Sequence, residues 1–224
     1  MLDDDLPGVT RLVLVRHAEG RVNVEGMIGG LSGCTGLTEL GRHQAKLLRA
    51  RWAGTGFRPD ALVTSPVRRA RETANIIATL VDDLTVIEDC DLCELHLGEA
   101  DGLSWPEYDA RYGRFNLVAE PSRPFASGAE CWNDAATRAR RCLLELAQRF
   151  AGETVVLVTH AGFILASLLE LLGVKYSTER ASLDPGFASI TIWRSTAAHW
   201  ELQCFNDTAH LEGLHVASTD RLTS

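Results

Sequence analysis

Leu12-Val13-Leu14-Val15-Arg16-His17-Ala18-Glu19 is an apolar run that stops abruptly at an arginine and a histidine. A strand buried on both faces of a parallel sheet reads as continuous Val and Leu, and in open α/β sheets ligands sit beyond the carboxyl ends of the strands. Arg16 and His17 therefore stand where such a sheet does its chemistry. The pattern returns in Val155-Val156-Leu157-Val158-Thr159-His160-Ala161-Gly162, where a strand again ends at a histidine before small residues open a helix.

Working outward, turn-bounded apolar runs predict strands over Arg11–Val15, Ala61–Thr64, Leu84–Ile87 and Thr154–Thr159. Helical periodicity predicts Thr38–Trp52, capped by Thr38 and buried through Leu40, Leu47 and Leu48, then Val67–Leu80. It further predicts Glu130–Phe150, buried through Leu143, Leu144, Leu146 and Ala147, and Gly162–Leu172, ended by Gly173. This alternation implies an α/β three-layer sandwich, a mostly parallel central sheet with helices on both faces. Ala188–Trp193 and Trp200–Phe205 alternate more clearly and predict a hairpin at the sheet edge. With no linker or repeat, residues 1–224 are expected to form a single domain. Leu103–Gly128, rich in Pro, Gly and aromatics, reads as an insertion or lid, and 215–224 as a flexible tail.

A formal net charge of −8 argues against nucleic acid and acidic membrane as partners. The acidic start lacks a secretory pattern, and Phe163–Leu172 is about half a bilayer span, so a cytoplasmic location is expected. The six cysteines are irregularly spaced and expected to be reduced. Cys90 and Cys93 form a lone CxxC with His96 three residues on; with no second pair they read as structural thiols, and no metal or cofactor is called for.

Ser65-Pro66-Val67-Arg68-Arg69-Ala70-Arg71 follows the second strand and predicts a helix capped by Ser65 with Pro66 in its first turn. Three arginines there oppose the helix dipole, a mismatch that makes sense if one turns inward to hold an anion. Arg16, His17, Arg69 and His160 together describe a donor-rich oxyanion pocket inside an acidic chain. Glu94, among apolar neighbours, is a candidate proton carrier, raised by burial and lowered by nearby arginines. Glu99 and Asp101, in a Gly-flanked turn, are expected to be exposed.

These segments together resemble the phosphoglycerate-mutase-like branch (branch 1) of the histidine phosphatase superfamily. Arg16-His17-Ala18-Glu19 with Asn23 resembles its RHG(E)…N signature, and Leu37-Thr38-Glu39-Leu40-Gly41 with Gln44-Ala45 its LTxxGxxQA start. Ser65 to Ala74 is similar to SPxxRAxxTA, Leu92–Gly102 to the acid-bearing segment, Gly128-Ala129-Glu130 to the GES element, and Thr159–Gly162 to the second-histidine motif. The resemblance implies a phosphatase acting on a small phosphorylated substrate through a phosphohistidine on His17. Arg16, Arg69 and His160 would clamp the phosphoryl group, and Glu94 would serve as general acid and base. It also implies that Asn23, Gly30, Thr35, Glu130 and Ala161 border the substrate. Ala18 replaces the signature glycine, the Gly29–Gly36 loop departs from the family's pattern, and Leu95 stands where mutases carry arginine. Hydrolysis is therefore expected ahead of a phosphoglycerate-type mutase or a non-hydrolytic or ligand-binding relative. Arg111, Arg114 and Arg123 are candidates for a second anion, and a homodimer is an open option for assembly.

Overall fold

A computed structural model describes residues 8–81, 84–174 and 182–214, so the expected tail over 215–224 lies outside the described residues. Six strands form one sheet: β1 (Thr10–Arg16), β2 (Ala61–Thr64), β3 (Val86–Glu88), β4 (Thr154–Thr159), β5 (Ile190–Ser195) and β6 (Trp200–Asp207). Their order is β3-β2-β4-β1-β5-β6. The first four run parallel, whereas β5 and β6 are antiparallel, the hairpin the alternation implied.

Side-chain alternation along each strand feeds two cores. Leu12, Leu14, Val63, Val155 and Leu157 face one side, against Leu143 and Leu146 of α5 (Trp132–Arg149) and Ile164 and Leu165 of α6 (Ala161–Leu172). Val13, Val15, Leu62, Val156 and Val158 face the other, against Leu48 and Trp52 of α2 (Glu39–Thr55) and Ala70, Ala74 and Ile77 of α3 (Arg68–Ala78). α2, α3 and α5 bury stripes at i, i+3 and i, i+4 spacing, whereas α6 buries six consecutive residues, Phe163 to Leu168, as a helix apolar all round does. The remaining helices are short, α1 (Arg21–Glu25) and α4 (Trp105–Tyr112), the latter within the expected Leu103–Gly128 insertion.

Two local expectations are corrected. Leu144, predicted in the buried stripe of α5, is 41% exposed, because the stripe runs through Ala135, Arg138, Ala139, Cys142, Leu143 and Leu146. The helix after β2 starts later than predicted: Val67 is the residue before its first turn, and Ser65 sits in the strand-to-helix turn with its hydroxyl accepting the Val67 N–H at 3.3 Å. Thr38 does cap α2, accepting the Gly41 N–H at 2.9 Å. No described helix is long and apolar enough to cross a membrane.

Candidate active site

Parallel pairing aligns the carboxyl ends of β1, β4 and β2. His17 N–H continues the ladder to Thr159 O at 2.8 Å, and Ser65 N–H to Val158 O at 2.9 Å. His17, His160 and Ser65 thus emerge side by side from three neighbouring strands. The two imidazoles lie 5.0 Å apart between ring centroids, at 63°.

Arg69 joins them. Among the three arginines opening α3, Arg68 pairs outward with Glu72 at 2.8 Å and Arg71 lies 3.5 Å from Glu88. Arg69 turns inward and is only 5% exposed. Its Nε–H donates to His17 Nε2 at 2.9 Å, and its Nη2 reaches His160 Nδ1 at 3.0 Å. A guanidinium only donates, so both ring nitrogens must accept. His17 Nδ1 therefore carries the proton and donates to Ala18 O at 2.8 Å. His160 Nε2 likewise carries its proton, donating to Ser65 Oγ at 2.9 Å, whose hydroxyl donates to Cys93 Sγ at 3.4 Å. The hydrogen-bond pattern leaves each imidazole neutral with one fixed tautomer.

Electrostatics point the same way. Burial, reinforced by Arg69 and Arg16, holds His17 well below the usual histidine range, and burial followed by Arg69 does the same to His160. Arg16, itself pushed down to about 10 by burial, stacks 4.0 Å above the Phe187 ring. Its Nη1 donates to Pro185 O and lies 3.7 Å from Asp184 Oδ1. The segment carrying these partners is tied to the end of β1 through Ala188 N–H to His17 O at 3.3 Å.

Glu94 approaches from the loop after β3. It is 9% exposed; Oε2 accepts the Gly162 N–H at 3.3 Å, and Oε1 is buried without a hydrogen-bond partner. Burial raises its carboxyl above the usual range, against the pull of Arg69, the Gly162 N–H, Arg16 and Arg138. A Cβ added at Gly162 would stand 2.2 Å from Glu94 Oε1, so the absence of a side chain there is what admits the carboxyl. Leu95, Leu117, Val118, Trp132, Leu165 and Leu183 extend a largely apolar cleft from Glu94, and its two charged lining residues, Glu94 and Asp184, are both acids.

The other sequence-predicted residues divide. Asn23 lies beside Arg69: a Cβ on Gly20 would meet Asn23 Oδ1 at 2.9 Å and Arg69 Cδ at 3.0 Å. Ala161 lines the cleft at the first turn of α6. Gly30 and exposed Thr35 lie on the Gly-rich loop, from which Gly29 O accepts from Arg69 Nη1. Glu130 is not brought to the cluster: its carboxylate pairs with Arg138 at 2.9 and 2.7 Å and accepts the His96 N–H. His210 contacts Arg51 of α2 (Nη1 to Nδ1, 3.5 Å), with Arg51 bound to both oxygens of Asp207. Arg111, Arg114 and Arg123 pair with Glu99, Asp109 and Glu120.

Two residues escaped the sequence reading. Arg138, 8% exposed on α5, donates to the carbonyls of Asp91, Cys93 and Glu94 as well as to Glu130, and so holds the loop that presents Glu94. A cation on the buried stripe of an amphipathic helix was the available signal. Asp101 is not exposed as expected. Its carboxylate accepts backbone N–H groups from Gly30, Ser32 and Gly33 at 2.6, 2.9 and 2.9 Å, fixing the loop whose Gly29 O accepts from Arg69.

A family model described as the histidine phosphatase superfamily (branch 1) matches residues 12–208. The chain is 32% identical over 214 residues to a metal-independent phosphoserine phosphatase of Arabidopsis thaliana, covering 92% of this chain and 85% of that protein. It is 33% identical over 199 residues to a glucosyl-3-phosphoglycerate phosphatase of Mycobacterium tuberculosis, covering 85% and 86%. Among solved structures, Bacillus stearothermophilus YhfR superposes with a TM-score of 0.78 at 26% identity, covering 91% of this chain and all of that one (100%).

Proposed function

The chain belongs to branch 1 of the histidine phosphatase superfamily, and we propose that within it the protein hydrolyses a small-molecule phosphomonoester through a phosphohistidine on His17. One observation carries the reading: the His17 Nδ1 proton is committed to Ala18 O, so Nε2 keeps its lone pair, which accepts the Arg69 Nε–H here and is freed for attack when that donor turns to a phosphoryl oxygen. A neutral imidazole is a competent nucleophile, and guanidinium forks match the charge spread over equatorial phosphoryl oxygens.

In this mechanism Arg69 and Arg16 take up the phosphoryl oxygens, and His160 donates its Nε2–H to them once it is released from Ser65 Oγ. His17 Nε2 attacks phosphorus in line as the P–O bond to the alcohol breaks, and Glu94 delivers its proton to the departing oxygen. The resulting carboxylate then removes a proton from water, which attacks the phosphohistidine and releases phosphate, with His17 restored. Asn23 supports Arg69, and Leu103–Gly128 acts as a lid, since Leu117 and Val118 from it wall the cleft. The apolar side chains among the described residues lining the cleft beyond Glu94 suit an alcohol with little charge, and Leu95, where mutases of this fold carry arginine, favours hydrolysis over mutase chemistry.

The test is a phosphate-release screen over alkyl, sugar and amino-acid phosphates, run beside His17→Ala and in excess chelator. Activity surviving chelation and falling at least about 10³-fold in the variant supports the reading. Comparable turnover in the variant, or loss of activity on chelation, overturns it.

A further inference from the structure

We propose that Cys90, Cys93 and His96 form a binding site for a soft, closed-shell divalent cation of the Zn²⁺ class, on the outer side of the loop that presents Glu94. In sequence this is C-x₂-C-x₂-H without the second ligand pair of a zinc finger. The fold supplies what the spacing lacks. Cys90 Sγ lies 3.4 Å from Cys93 Sγ and 3.6 Å from His96 Nε2, and the three atoms fall within 4.8 Å of one another.

Tetrahedral zinc, with bonds of about 2.3 Å to sulfur and about 2.05 Å to nitrogen, separates two sulfurs by about 3.8 Å and sulfur from nitrogen by about 3.6 Å. Two edges of the triangle meet those separations to within about 0.4 Å, and the third, Cys93 Sγ to His96 Nε2, lies within 4.8 Å. Local structure favours this arrangement. Cys90–Leu92 is one 3₁₀ turn whose closing bond, Cys93 N–H to Cys90 O at 3.0 Å, puts both thiols on one side. His96 Nδ1 sits 3.5 Å from Glu130 Oε1, so Nε2 is the nitrogen presented to the sulfurs. A carboxylate behind the imidazole is the usual outer partner of a metal-binding histidine, and Glu130 is itself fixed by Arg138. Cys90 is exposed, which gives a cation an entry path and leaves water for the fourth position. The site stands apart from the proposed chemistry but touches its frame, since Cys93 precedes Glu94 and receives the Ser65 hydroxyl.

The experiment is a Co²⁺ titration of the full chain, freed of metal by chelation and kept reduced by a phosphine. One equivalent should develop the near-ultraviolet thiolate-to-cobalt band and the visible bands of a tetrahedral ion, and equimolar Zn²⁺ should bleach them. Competition against a chromophoric chelator should show Zn²⁺ binding weakened at least about 10-fold in both Cys90→Ser and His96→Gln. Metal-free phosphatase activity equal to wild type certifies that each variant is folded. Absence of the thiolate band in the wild-type protein overturns the proposal, as does Zn²⁺ affinity that is unchanged in either folded variant.

Discussion

Gly162→Ala isolates the proposed acid from everything else in the site. The added Cβ would lie 2.2 Å from Glu94 Oε1 and 3.1 Å from its Cδ. Carbon–oxygen contacts settle near 3.3 Å, so the carboxyl must retreat by about 1 Å. The atom that yields is the end of a flexible side chain, which keeps the structural cost low. Alanine for glycine near the start of α6 also favours the helix, by up to about 1 kcal/mol. The fold should therefore survive while the proton donor is displaced. A misplacement of about 1 Å costs about 10²-fold, equivalent to about 2.7 kcal/mol of barrier. The assay is kcat/KM for phosphate release from an alkyl phosphate and from 4-nitrophenyl phosphate, with Tm recorded alongside. We expect about a 100-fold loss on the alkyl ester and less than about 10-fold on the nitrophenyl ester, whose leaving group needs little protonation. Equal losses on the two esters, or no loss on the alkyl ester, would refute the placement of Glu94 at the leaving oxygen.

Arg138→Lys should lower stability by about 3 kcal/mol, because a lysine cannot replace the buried pair with Glu130 and three carbonyl contacts together. If Arg138 positions Glu94, kcat should drop more on alkyl than on nitrophenyl phosphate with KM little changed; a uniform loss would reduce it to a scaffold residue. The pH profile has a defined sign. In the proposed mechanism neutral His17 is the reactive form, so kcat/KM should rise with pH through a pKa below the usual histidine range. Protonated Glu94 is the donor proposed there, so the rate on alkyl esters should fall through a pKa above the usual carboxylate range. After correction for substrate ionisation, Glu94→Gln should keep the rising limb and lose the falling one; persistence of the falling limb would exclude Glu94 as its source.

The parts of this molecule legible in the sequence are those set by local rules. Continuous apolar runs marked β1, β2 and β4 to within a residue or so, and the residues following β1 and β4, His17 and His160, stand beside one another as that reading required. That one of the three arginines opening α3 would turn inward followed from their mismatch with the helix dipole, and the resemblance to SPxxRAxxTA singled out Arg69. What escaped depends on distant contacts. Ser65 looked like a helix cap, but its hydroxyl accepts from His160, 95 residues away. Glu130 belonged to a recognisable element, yet Arg138, one helical stripe along, claims its carboxylate. Asp101 seemed a solvated turn residue until its three backbone partners, nearly seventy positions upstream, folded onto it.

That last attachment has a corollary. Because the Gly-rich segment is gripped through main-chain amides, the exposed side chains of Leu31, Ser32 and Thr35 are decoupled from its shape, whereas Gly33 and Gly36 are not, since a Cβ there would meet Gly102 N at 2.7 Å and Glu72 Oε1 at 2.4 Å. Substitution at Leu31, Ser32 or Thr35 can thus change the chemistry of this surface while one distant carboxylate preserves its contour.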